Sequence, residues 1–183
     1  MADQPIKGIT DPRLVIQQVA AHETGHAVVG LAIGRRLKNI ERIEGRPADS
    51  YLSESIKESY ATNFHVEEER IDERLLHLNA AAGMAGEASL SGKYYNEIGR
   101  DDLTRLRSAG VTETQIKDLI MLGASILQAN HTFVEDVWNT ILDAIERHEF
   151  DLINSTAVTN DFGVRGKKFT DLAGLERIFR LGS

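Results

Sequence analysis

Val15, Val19, His22, His26, Val29 and Ile33 recur at alternating steps of four and three residues, the spacing of one face of an α-helix. Asp11 before Pro12 is a helix start, with an N-capping carboxylate followed by a preset φ at the first helical position. Gly34 follows the last apolar position as a C-cap. The pattern predicts one amphipathic helix with two histidines on its buried stripe. Gly25 inside it costs about 1 kcal/mol relative to Ala, which implies that another segment passes close by.

Beyond this helix, Leu37 to Ile43 alternates weakly and predicts a short strand, followed by a loop at Gly45 to Asp49. Residues 50–65 are polar and give no assignment. Glu67 to about Leu90 predicts a second helix, acidic at its start as the macrodipole prefers. Its later part, Asn79 to Ser89, is rich in small residues, a surface on which another helix, the expectation being the first, can pack very near. Gly92 to Gly99 predicts a loop, and Asp101 or Asp102 opens a third helix. Thr112-Glu-Thr-Gln115 is a capping box. From there a helical region runs to about His148, with a break near Asn130. The tail predicts a strand around Phe162 to Phe169 and a last helix from Asp171 to Phe179. The fold class is mainly α with a few short strands.

A chain of 183 residues is long enough for one domain with a proper core. The net charge of −7 and the lack of any basic stripe argue against a nucleic-acid or anionic-membrane partner. The N-terminus has no apolar signal core, and no 18-residue apolar run follows, so the expectation is an unanchored cytoplasmic chain. There are no cysteines, so disulfides and thiolate ligands are excluded. Any metal site must come from His, Asp and Glu.

Such a site is suggested by His22-Glu-Thr-Gly-His26. One helical turn separates the imidazoles, so both can reach one metal ion. Glu23 sits about 100° round the helix, placed to touch a water on that metal. This is the zinc-peptidase signature. A catalytic zinc needs a third protein ligand and an open position for water. A third His at the metzincin distance is excluded because position 32 is Ala. Glu87 from the second helix is one candidate; Asp101 and Asp102 at the start of the third compete with it. His65, His77, His131 and His148 show no ligand spacing and read as surface or core histidines.

These residues resemble the zinc peptidase domain of the FtsH-type, AAA-linked proteases. That family's motif helix usually reads HEAGHA followed by apolar residues, against His22-Glu-Thr-Gly-His-Ala-Val-Val-Gly30 here. Its small-residue helix GRxAEE is matched loosely by Gly83-Met-Ala-Gly-Glu87, and its TGASNDL segment by Ile98-Gly-Arg-Asp-Asp-Leu103. The resemblance spans residues 11–148 of a single domain, with 149–183 as a C-terminal extension. It implies that His22, His26 and Asp102 bind Zn²⁺, that Asp101 stands where the family has Asn, and that Glu87 lies behind the ligands. It also implies a zincin fold and peptide-bond hydrolysis with Glu23 as general base.

The chain departs from the family in having no ATPase domain: there is no G-x-x-x-x-G-K-[ST] loop, and Gly163-Val-Arg-Gly-Lys-Lys has the wrong spacing. The expected substrates are therefore unfolded or flexible polypeptide segments, and the segment Leu37 to Ile43 is a candidate rail for them. A homo-oligomer or a separate ATPase is the expected partner. Two alternatives are a non-catalytic, metal-stabilised subunit or adaptor, and a regulatory peptidase with one protein substrate.

Overall fold

The computed structural model describes residues 12–43, 59–65, 71–92 and 98–180. In chain order these form α1 (Pro12–Ala32), β1 (Leu37–Ile43), β2 (Ser59–Phe64), α2 (Glu73–Ser91), α3 (Arg100–Ser108), α4 (Glu113–Ala129), α5 (His131–Glu146), α6 (Ser155–Arg165) and α7 (Leu172–Arg180). The architecture is mainly α, with one small antiparallel sheet.

The periodic stripe does form a helix, but it is only one of several buried faces. α1 is the central element, touched by α2, α4, α5 and both strands. Ala20, Ala21, Ala27 and Val28, which lie off the stripe, are fully buried with Val15 and Val29. The expectation of an amphipathic helix therefore gives way to that of a core helix, covered on nearly every side from Gln18 onward, while Arg13, Leu14 and Gln17 at its start stay exposed.

α2 lies against α1 at two glycines. A Cβ on Gly25 would strike the carbonyl oxygen of Ala82 and sit 3.0 Å from the Gly86 nitrogen. A Cβ on Gly86 would strike the Ala21 carbonyl oxygen. The two backbones therefore meet directly, which answers the question that Gly25 raises in the sequence. The predicted start of α2 at Glu67 falls among residues outside the description. The helix begins at Glu73, where the Asp72 side chain accepts a 2.9 Å hydrogen bond from the Arg74 backbone N–H. Gly92, at φ +76°, ends it in the left-handed region.

The capping box at Thr112 and Gln115 opens α4 as the sequence predicts. The break at Asn130 has a use. Its side chain accepts from the Lys167 N–H (2.6 Å) and donates to the carbonyls of Ile126 (2.9 Å) and Lys167 (3.2 Å), pinning the segment between α6 and α7. No strand forms at Phe162 to Phe169. Asn154 caps a helix there by accepting from the Ala157 N–H, and Phe162 packs edge-on against Phe133 of α5. The residues expected to form a strand are the last turn of that helix followed by an irregular link. α7, rich in spaced apolar residues, buries Leu175 and packs on α4 and α2.

β1 and β2 pair antiparallel, with Ile40 opposite Thr62 and Ile43 opposite Ser59, and an irregularity between Leu37 and Asn39. The far edge of β1 is also occupied: Leu152 N–H donates to the Ile40 carbonyl (2.8 Å) and Arg42 N–H to that of Phe150 (3.0 Å). β1 is therefore an inner strand, and the expected substrate rail at Leu37 to Ile43 is corrected: it has no edge to offer. Among the described residues no strand pairs with the outer edge of β2. No helix among them is long and apolar enough to cross a membrane.

Candidate metal centre

α1 carries His22, Glu23 and His26 on the side that meets α2, β2 and the start of α3. The Nε2 atoms of His22 and His26 are 3.0 Å apart, and each lies 3.1 Å from Oδ2 of Asp102. His22 is buried and the other two are half-buried. A tetrahedral zinc with bonds of about 2.0–2.1 Å spaces its ligand atoms by roughly 3.3 Å, so this triangle fits to within a few tenths of an ångström.

The proton inventory also asks for a cation. His22 Nδ1–H donates to Glu87 Oε1 at 2.7 Å, and His26 Nδ1–H donates to the Asn79 carbonyl at 2.8 Å. With Nδ1 protonated on both rings, both Nε2 lone pairs point into the triangle. Two lone pairs and a carboxylate oxygen repel one another unless positive charge lies among them. In the metal-free protein a proton supplies that charge. Burial alone would lower the His22 pKa, but hydrogen bonds to Asp102 and Glu87 outweigh it and hold the imidazole well above 6.5. Burial alone would raise Asp102; the charge of His26 and the hydrogen bonds from both histidines instead push it far below the ordinary carboxylate range.

The rival candidates fall outside the triangle. Glu87 is fully buried behind His22, on the opposite ring nitrogen. Asp101 is exposed on the wall of the cleft. His65, His131 and His148 are exposed, and His77 lies half-buried on the cleft wall. A further glycine shapes the site: a Cβ on Gly83 would sit 2.5 Å from His22 Nε2 and 2.6 Å from its Nδ1. The imidazole occupies space that only a missing side chain leaves.

Glu23 is 5% exposed and is held by β2: the Thr62 hydroxyl donates to its Oε2 at 2.5 Å. These groups open on a cleft of about 880 Å³, whose walls include β2 (Tyr60 to Phe64), Arg35, Leu76, Arg100 and Arg105. Sequence reasoning missed three participants. Thr62 lies in the polar stretch that gave no assignment, and it carries no local mark. Asn79 acts through its backbone carbonyl, which any residue has, and its amide also donates to the His26 carbonyl at 3.1 Å. Gly83 was visible only as one of several small residues.

What the residues can do is hold a borderline divalent cation by two neutral imidazoles and one carboxylate, with a second carboxylate beside it in an open cleft. Comparison with known protein families, curated proteins and solved structures gives no match, so the site is read from its own chemistry.

Proposed function

We propose that the protein is a zinc-dependent endopeptidase acting on flexible or unfolded polypeptide segments. The observation that carries this reading is the pairing of a His₂Asp triangle with a separately held carboxylate, Glu23, on the same open cleft. The donor set alone would suit several divalent ions; a positioned general base beside it favours hydrolysis. A purely structural site would have no use for that base and would require a fourth protein ligand, which is absent among the described residues.

His22, His26 and Asp102 would hold the ion, with Glu87 and Asn79 fixing the ring tautomers from behind. Zinc, when bound, supplies Lewis acidity toward the scissile carbonyl and lowers the pKa of a coordinated water toward about 7. Glu23 accepts the proton of the attacking water and delivers it to the departing amine. β2 supplies the substrate rail in place of β1. Ile40 and Arg42 turn their backbone groups toward residues 150–152, so their partners across the sheet turn theirs outward. A peptide in extended form can add to that edge.

The test is metal content by mass spectrometry together with cleavage of a chemically unfolded protein, comparing wild type with Glu23→Gln. Stoichiometric zinc in both and cleavage by wild type alone are expected. Equal cleavage by the two proteins would refute the role of Glu23. Zinc in wild type with no cleavage of any flexible substrate would favour an adaptor.

A further inference from the structure

Thr62 stands at the one point where the outer strand of the sheet and the carboxylate of α1 meet, and it serves both. It lies opposite Ile40, whose carbonyl is taken by Leu152, so the Thr62 backbone N–H and C=O face away from β1, toward the edge that no strand among the described residues occupies. Its side chain points at right angles, onto α1. There the hydroxyl donates to Glu23 Oε2 at 2.5 Å and lies 3.3 Å from the Glu23 carbonyl oxygen. One residue therefore offers its backbone to the cleft edge and its hydroxyl to the base.

From this we infer that Thr62 is a positioning residue for Glu23: it occupies Oε2, leaves Oε1 as the proton-accepting atom, and transmits the placement of a peptide on β2 to the carboxylate. The inference rests on the hydrolytic reading above. A glutamate has three rotatable bonds, and near a metal its competing choice is to swing onto the ion as a further ligand. A short hydrogen bond from a strand fixed on α1 removes that freedom. Among the described residues no other side chain donates to Glu23. The β-branched Thr suits the role, because its χ1 is stiff and its methyl packs while the hydroxyl points. An extended peptide paired with the edge at Thr62 would hold β2, and with it the hydroxyl, in register with the site.

The variants that isolate this role are Thr62→Val, which keeps shape and removes the donor, and Thr62→Ser, which keeps the donor. Zinc content, kcat and KM are measured on an unfolded protein substrate. A second readout needs no activity: a double-mutant cycle of Thr62→Val with Glu23→Ala, scored by thermal unfolding of the metal-free protein. Thr62→Val is expected to bind zinc normally and to lose roughly 10- to 100-fold in kcat at unchanged KM. Thr62→Ser is expected to stay within about threefold of wild type, and the cycle to be non-additive. A wild-type kcat in Thr62→Val, a change confined to KM, or an additive cycle would overturn the inference. If Thr62→Val fails to fold, Thr62→Ala carries the same expectations. Should wild type itself cleave nothing, the hydrolytic reading falls, and the cycle alone decides whether Thr62 holds Glu23, additivity again counting against it.

Discussion

Replacing Gly83 by alanine should stabilise a helix and yet damage this protein. In an exposed helix interior the change gains about 1 kcal/mol. At Gly83 the new methyl would stand 2.5 Å from His22 Nε2 and 2.6 Å from Nδ1, well inside contact distance. The imidazole cannot retreat without releasing Glu87, which is fully buried and bonded to it at 2.7 Å. Forcing a methyl into a packed site costs about 2 kcal/mol, and losing the hydrogen bond to a buried carboxylate costs about 2 kcal/mol more. Against the helical gain, the net is a loss of about 3 kcal/mol, or a Tm lower by roughly 6–12 °C for a chain of this size. Displacement of the ring also takes Nε2 out of the ligand triangle. Differential scanning fluorimetry and metal analysis of Gly83→Ala therefore read the same event twice: a lower Tm in the metal-free protein and loss of stoichiometric zinc. A Gly83→Ala protein with a raised Tm and full zinc would show that the ring moves freely, and the argument for a preset His22 would fail.

Four further outcomes follow from the same geometry. Asp102→Ala should abolish tight zinc binding, whereas Glu87→Ala, which removes the support on the far ring nitrogen, should weaken it roughly 10- to 100-fold in a competition titration against a chromophoric chelator; the reverse order would make Glu87 the ligand. The metal-free protein should lose stability as pH rises above 6.5, because the raised His22 pKa contributes stability only while the ring is protonated, fully so below its unfolded value and not at all above its folded one. Zinc must displace that proton, so the zinc-induced rise in Tm should be larger at pH 8 than at pH 6, and a pH-independent rise would contradict the tautomer assignment. Gly86→Ala should cost about 3 kcal/mol or more, seen in chemical denaturation, since its methyl meets the Ala21 carbonyl of a rigid helix rather than a movable side chain.

The parts of this molecule that were legible in the sequence are those written in local periodicity and capping. The run from Val15 to Ile33, the box at Thr112 and the interruption at Asn130 each encode their element within a few residues. The closeness of His22 and His26 was legible for the same reason, since one turn of helix fixes their relation. Residue spacing alone left Asp102 as one of three candidates, because no local rule links residues eighty apart, and the family resemblance singled it out; the fold brings it to the two histidines. Phe162 to Phe169 misled because a short mixed run satisfies two periods, and the contact with Phe133 decides between them. Leu37 to Ile43 is legible as strand-like, but nothing local shows that residues 150–152 will pair with its far edge, and this removes it as a candidate rail. Thr62 was invisible: a threonine in a polar stretch acquires meaning only when α1 lies beneath it.

The triangle joins residues four apart on one helix with a third eighty positions downstream. Closing a loop of that span costs several kcal/mol of chain entropy, which nothing local repays. The three corners meet only where α1, α2 and α3 are docked together. A metal captured there would act as a latch on a finished molecule rather than as a nucleus for an unfinished one. Its presence would slow the rate of unfolding and leave the rate of folding almost untouched.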